Sequence, residues 1–129
     1  MKPDNNKKYD LEDRLIEFAV LVITIAENLK NSRAGNHIAG QLVRSGTSPA
    51  LNYGEAQSAE SLSDFIHKFK ILLKELRETR VALKITKRVP LINDIELVDK
   101  GLIECNELIS IFVKSIDTAK KNKRKSKDN

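Results

Sequence analysis

The chain has 129 residues, 23 Lys+Arg against 18 Asp+Glu, and 40 % hydrophobic residues. This suits one globular domain and is too apolar for a disordered chain. Its single cysteine excludes an internal disulfide framework and a cysteine-rich zinc site, and fits a reducing, cytoplasmic setting. The longest uncharged apolar run, Phe18–Ala26, falls far short of the ~20 residues a membrane span needs, so no membrane partner is expected. The opening MKPDNNKKYDLED lacks the apolar core of a signal peptide.

The charge is unevenly placed. The last ten residues, KKNKRKSKDN, hold six Lys/Arg and one Asp, while the other 119 balance 17 bases against 17 acids. A segment with no apolar residue cannot bury enough surface to fold, so 120–129 is expected to be a disordered basic tail. Its Lys120, Lys121, Lys123, Arg124 and Lys125 are candidate phosphate contacts, with a merely solubilising tail as the alternative. Met1–Tyr9 is likewise polar and reads as a flexible segment, which leaves 10–119 as the folded domain.

The first predicted helix covers Leu11–Leu29. Asp10 is its N-cap candidate, with Asp13 three residues on. Leu11, Leu15, Phe18, Val22, Ile25 and Leu29 make one buried stripe at 4-3-4-3-4 spacing. Ile16, Val20 and Ile23 make a second stripe on the opposite face. A surface helix needs one apolar face, so the second points to an oligomer interface or to cover by another segment.

A turn is expected over Asn31–Asn36, then a helix over His37–Ala59. Pro49 inside it predicts a kink or break near Ser45–Ser48. Gln41, Ser45, Ser48, Asn52 and Glu55 form a polar seam, with Gly46, Ala50, Gly54 and Ala56 beside it as positions for close helix approach.

Ser61-Leu62-Ser63-Asp64 reads as a capping box that opens a third helix running to Val89, before Pro90. Phe65, Phe69, Leu72, Leu76 and Leu83 are assigned to the core, with Ile66 and Leu73 at its margin. Lys70, Lys74, Arg77, Lys84 and Arg88 share the far side, the one coherent basic face of the folded domain. Glu75 and Glu78 lie beside it at spacings that would partly neutralise it.

The fourth helix is expected to run from Leu91 or Asp94 to Ala119. Ile95, Val98, Leu102, Cys105, Ile109, Phe112, Ile116 and Ala119 make a heptad seam, on which Cys105 reads as a buried small hydrophobe. Four helices joined by short turns predict an all-α, antiparallel up-down-up-down four-helix bundle.

Catalytic and metal signals are sparse. Two histidines, with Asp64-x-x-His67 the sole i,i+3 carboxylate pair, do not make a di-metal bundle site, so no metal and no cofactor are expected. There is no nucleophile elbow and no phosphate-binding loop. Glu55, Glu60, Glu75 and Glu78 have no spacing that marks an acid–base pair. Phe18, Phe65 and Phe69 point to the core, so base stacking is poorly supported and backbone contact to phosphates fits better.

The stretch QLVRSGTSPALNYGEA (Gln41–Ala56) resembles a signature of the 23S rRNA intervening-sequence proteins, also called four helix bundle proteins. Asp10–Arg14 and Ser61–Glu78 are similar to them too, and the likeness spans about residues 9–90. The resemblance implies a bacterial cytoplasmic protein, a left-handed bundle and a homo-oligomeric ring, typically a pentamer. A related group, the accessory variability proteins of diversity-generating retroelements, forms basic rings that bind nucleic acid and a reverse transcriptase. Arg44, Ser45, Asn52 and Glu55 match the signature. They read as a polar network that sets bundle geometry around Pro49, or, for Arg44 and Ser45, as residues facing a ring opening or ligand. The expected function is non-enzymatic binding of RNA or DNA through basic faces; the alternative is a scaffold that docks a protein partner.

Overall fold

The computed structural model describes residues 10–128, with side chains through Ser126; the expected flexible segment 1–9 lies outside the described residues. Four helices make up the fold: α1 (Leu11–Glu27), α2 (Arg33–Ala56), α3 (Leu62–Arg88) and α4 (Ile95–Asp128). No strand occurs among the described residues. Each helix packs on its sequence neighbours, and α4 returns to touch α1. Arg44 meets Glu75 and Glu78 while Glu55 meets Lys68, so α2 and α3 run in opposite directions. The same holds for α3 and α4, where Lys87 meets Asp99 and Leu76 meets Cys105.

The helix starts follow the capping chemistry. The Asp13 N–H donates to Asp10 Oδ1 at 3.1 Å, and the Asp64 N–H donates to Ser61 Oγ at 3.0 Å. The second helix begins four residues before the expected His37. Ser32 is its N-cap, accepting from the Gly35 N–H at 3.0 Å, within the stretch expected to be a turn. At one end of the bundle the two interhelix loops are tied together by the Lys30 N–H, which donates to the Leu91 carbonyl at 2.8 Å.

Two expectations are corrected. First, α2 is continuous through Pro49, with no break at Ser45–Ser48. Proline removes one backbone donor, and nearby side chains add bonds to the flanking turns. Thr47 Oγ1 donates to the Val43 carbonyl at 2.7 Å, and Asn52 Nδ2 donates to the Ser48 carbonyl at 3.0 Å. Second, α4 does not stop at Ala119; the segment expected to be a disordered tail from Lys120 is helical to Asp128. Lys, Arg and Asn carry no strong penalty in a helix, no Gly or Pro interrupts the segment, and cations are favoured near a helix C-terminus.

The core is built from α1, α3 and α4. Leu15, Phe18, Val22 and Ile25 meet Leu72, Leu76 and Leu83, and Val98, Cys105, Leu108 and Phe112 close the layer. Ile66 and Leu73, expected at the margin, are buried, whereas Phe65 is half-buried, its ring tilted against that of Phe69 at 4.3 Å between centroids. Helix α2 differs from the rest, because Leu42 is its one large apolar side chain in the fully buried set. Ala56 is also buried, and Ile38, Ala39, Ala50 and Tyr53 pack partly against the core, Tyr53 meeting the rings of Phe69 and Phe112.

Close approach adds to this packing. A Cβ on Gly46 would lie 2.5 Å from Val22 Cγ1 and 2.8 Å from Val22 Cβ, so α2 rests directly on a β-branched side chain of α1. Val22 cannot rotate its own Cβ away. Gly46→Ala is therefore expected to destabilise the protein by about 1–3 kcal/mol. Gly40, where a Cβ meets nothing within 4 Å, gives the control: Gly40→Ala should stabilise by about 0.5–1 kcal/mol. Urea unfolding of the two variants checks this, and shifts of the same sign would contradict it.

Candidate functional site

The basic face of α3 comes first. Lys70, Lys74, Arg77, Lys84 and Arg88 are all exposed, and none makes an ion pair among the described residues. Glu75 and Glu78, expected to pair with this face, form no ion pair with it. Arg44 of α2 takes both carboxylates, with Nη1 donating to Glu75 Oε1 at 3.1 Å and Nη2 to Glu78 Oε1 at 2.5 Å. Glu75 is only 8 % exposed, so the Arg44 fork serves a nearly buried charge. The bonds to Glu78 and Glu75 hold the Arg44 guanidinium pKa above its ordinary value. The acids that would have quenched the stripe are thus turned toward α2.

The four signature residues do not bond to one another. Arg44 reaches Glu75 and Glu78. Ser45 is fully buried, and the single hydroxyl proton of Thr79 is within reach of both Ser45 Oγ and the Glu75 carbonyl, each 2.9 Å from Thr79 Oγ1. Glu55 accepts from Lys68 Nζ at 2.6 Å, whereas Asn52 bonds within its own helix to Ser48. Three of the four therefore stitch α2 to α3, and one serves the turn around Pro49. Ser45 has no solvent-facing surface for a ligand.

Sequence reasoning missed the partners. Thr79 lies in a helix whose pattern is dominated by Leu and Lys, and its pairing with Ser45 is set across 34 residues. A second missed contact is the Arg14 fork: Nε donates to Glu104 at 2.7 Å, and Nη2 to Glu104 at 3.0 Å and Glu107 at 2.7 Å. It bridges α1 to α4 at the edge where those two helices touch least.

Beside that bridge lies an open cleft of about 470 Å³ between α1 and α4, with Val20, Leu21 and Ile103 on its walls and Glu17 and Lys100 among its charges. The second stripe of α1 is exposed, with Ile16 41 %, Val20 51 % and Ile23 37 % exposed; Val20 alone of the three lines the cleft, opposite Ile103, which is 62 % exposed. No other segment among the described residues covers them.

On α4, Lys120, Lys121, Arg124 and Lys125 are exposed, and Lys123 is half-buried. Lys70 of α3 lies close to Lys120, Lys123 and Arg124, the four lining one cleft of about 280 Å³. His37 and His67 are exposed, and no three His, Cys, Asp or Glu side chains come together as a metal cluster among the described residues. No helix of the described chain is long and apolar enough to cross a membrane. Cys105 is fully buried, its Sγ donating to the Leu76 carbonyl at 3.2 Å, and burial pushes its thiol pKa up from 9.0 to about 12.

That shift has a sign for stability. An acid whose folded pKa is raised keeps its proton in the fold after the unfolded chain has lost it. Its contribution is complete below about pH 9 and is lost as pH rises from about 9 to about 12, with a slope of up to about 1.4 kcal/mol per pH unit. Cys105→Ala should lose less stability than the wild type across that window in urea titrations. Parallel curves would mean that the thiol ionises in the fold as readily as outside it.

The buried hydroxyl pair gives a second expectation. Thr79→Val deprives Ser45 of its cross-helix partner and should cost about 1–2 kcal/mol. A Ser45→Ala/Thr79→Val cycle should show coupling, and additive losses would remove the pair from the account of how α2 docks.

A family model described as 23S rRNA-intervening sequence protein matches residues 7–114. Among solved structures, the chain is similar to a protein of unknown function from the S23 ribosomal protein family of Bacteroides thetaiotaomicron. The two share 32 % sequence identity over 81 % of this chain and 96 % of that one, with a TM-score of 0.74. No curated protein matches.

Proposed function

The chain belongs to the 23S rRNA-intervening sequence protein family, and from that premise we propose that it is a non-enzymatic, homo-oligomeric bundle that binds RNA or other nucleic acid through the basic face of α3. One observation carries the reading: five cations share a helix face with no internal partner among the described residues, because Arg44 engages the nearby acids. Desolvating or pairing those cations inside the fold would have consumed their field; left free, it acts on an external anion. Such a face contacts phosphates and not base edges, so binding is sequence-tolerant. Each phosphate neutralised adds roughly 0.7–0.9 to the slope of log affinity against log salt. Replacing Lys74, Arg77, Lys84 and Arg88 with Gln should weaken binding to a structured RNA and flatten that slope. An unchanged slope would remove α3 from the interface.

The exposed α1 stripe supports the assembly part of the reading. Apolar side chains on both walls of one cleft form a patch of the kind that a partner covers. A second copy of the chain is the favoured occupant, with five copies as the number the family resemblance suggests. A protein partner from another class is the alternative reading, in which the bundle is a scaffold. Ile16→Ser, Val20→Ser and Ile23→Ser together should give a folded species of lower mass by light scattering. An unchanged mass would place the subunit contact elsewhere.

A further inference from the structure

The basic end of the chain and the basic face of α3 are distant in sequence. The fold brings them together. The heptad seam of α4 runs through Ile109, Phe112, Ile116 and Ala119, and the next position in its 3-4 rhythm is Lys123. Lys123 therefore turns toward α3 and is half-buried, while Lys120 and Arg124 flank it. These three and Lys70 line a cleft of about 280 Å³ floored by buried Ile66. Among the described residues, none of the four cations makes an ion pair and no acid lines the cleft. Four like charges held around one hollow repel one another, so the arrangement is stabilised by an anion that enters it. Lys121 and Lys125 belong to the same charged run and do not line the cleft.

We infer that the cleft between the start of α3 and the end of α4 is a phosphate-binding subsite for a nucleic-acid backbone. The inference rests on the proposed α3 function and extends it to a built site. Lys70 is both a wall of the cleft and the first cation of the α3 stripe. From Lys70 to Arg88 the stripe covers about 27 Å of helix, the rise of about eight phosphates along one duplex strand. A single small anion satisfies the cleft alone. A polyanion satisfies the cleft and the stripe together, and that continuity selects the nucleic-acid backbone. Ile66 and Lys70 lie within the family match and Lys120, Lys123 and Arg124 beyond residue 114, where it ends, so the cleft joins the matched region to the end of this chain.

The test uses the full chain and a 12-nucleotide RNA, read by backbone amide NMR shifts and by affinity. Two variants remove equal charge at equal spacing: Lys120→Gln/Arg124→Gln in the cleft and Lys121→Gln/Lys125→Gln outside it. RNA is expected to shift the amides of Ile66, Lys70 and 120–124. The cleft variant should lose those shifts and bind at least threefold more weakly than the control variant. Equal losses in both variants would show a generic polycation and overturn the inference. Shifts confined to residues 74–88 would overturn it while leaving the α3 reading intact. Shifts confined to the cleft would do the reverse, and no shift at low salt would overturn both. Inorganic phosphate at matched ionic strength should give no saturating shift. Saturation by phosphate as tight as by RNA would reassign the cleft to a free anion and overturn the inference.

Discussion

Gly46 brings α2 onto Val22 with no room for a methyl group, and the surface chemistry of the bundle follows from that approach. Helix α2 buries fewer large apolar side chains than its neighbours: Leu42 is fully buried, and Ile38 and Tyr53 pack partly against the core. It is held also by proximity and by polar stitches: Ser45 to Thr79, Arg44 to Glu75 and Glu78, Glu55 to Lys68. Those stitches draw on α3, whose Glu75 and Glu78 face Arg44. The free cations of α3 are the counterpart of how α2 is secured. The fold and the candidate interface are thus two consequences of one packing choice.

The ion pairs differ in what they contribute. Lys87 and Asp99 are both substantially exposed, and a pair of that kind adds little to stability. Glu75 is nearly buried, and its Arg44 partner matters because a carboxylate left there alone would face a desolvation cost. Arg14 with Glu104 and Glu107 lies between these cases, a forked contact at the least packed edge. That fork closes one end of the α1–α4 edge without filling the apolar cleft beside it.

Much of the fold is legible in the sequence because local rules and burial agree. Asp10 and Ser61 announce two helix starts through capping geometry, and the α4 seam gives most of its buried face, with Ile95 and Leu102 only half-buried and the buried Leu108 off the seam. The α3 stripe follows from the 3.6-residue period alone. The failures share a cause. The intrinsic penalty of Pro49 predicts a kink or break, and of the two the break does not occur: α2 runs on through Pro49 while packed closely on α1. The composition of residues 120–128 predicts disorder, whereas they prolong a helix that is already nucleated and anchored. The partners of Arg44 and Ser45, and the meeting of Lys70 with Lys120, Lys123 and Arg124, depend on which helices are neighbours. No spacing along one chain encodes that.

The unequal helix lengths have a further consequence. Helix α1 has 17 residues and α4 has 34, so α4 extends about 25 Å more than α1 does. Much of the excess positive charge sits on the last turns of α4, where Lys120, Lys123 and Arg124 lie beside Lys70 of α3. In any cyclic assembly of this chain, every copy points the same way along the rotation axis. All these α4 ends would then lie on one side of the assembly and crown it with positive charge. Two such crowns would repel each other unless salt or a polyanion lay between them.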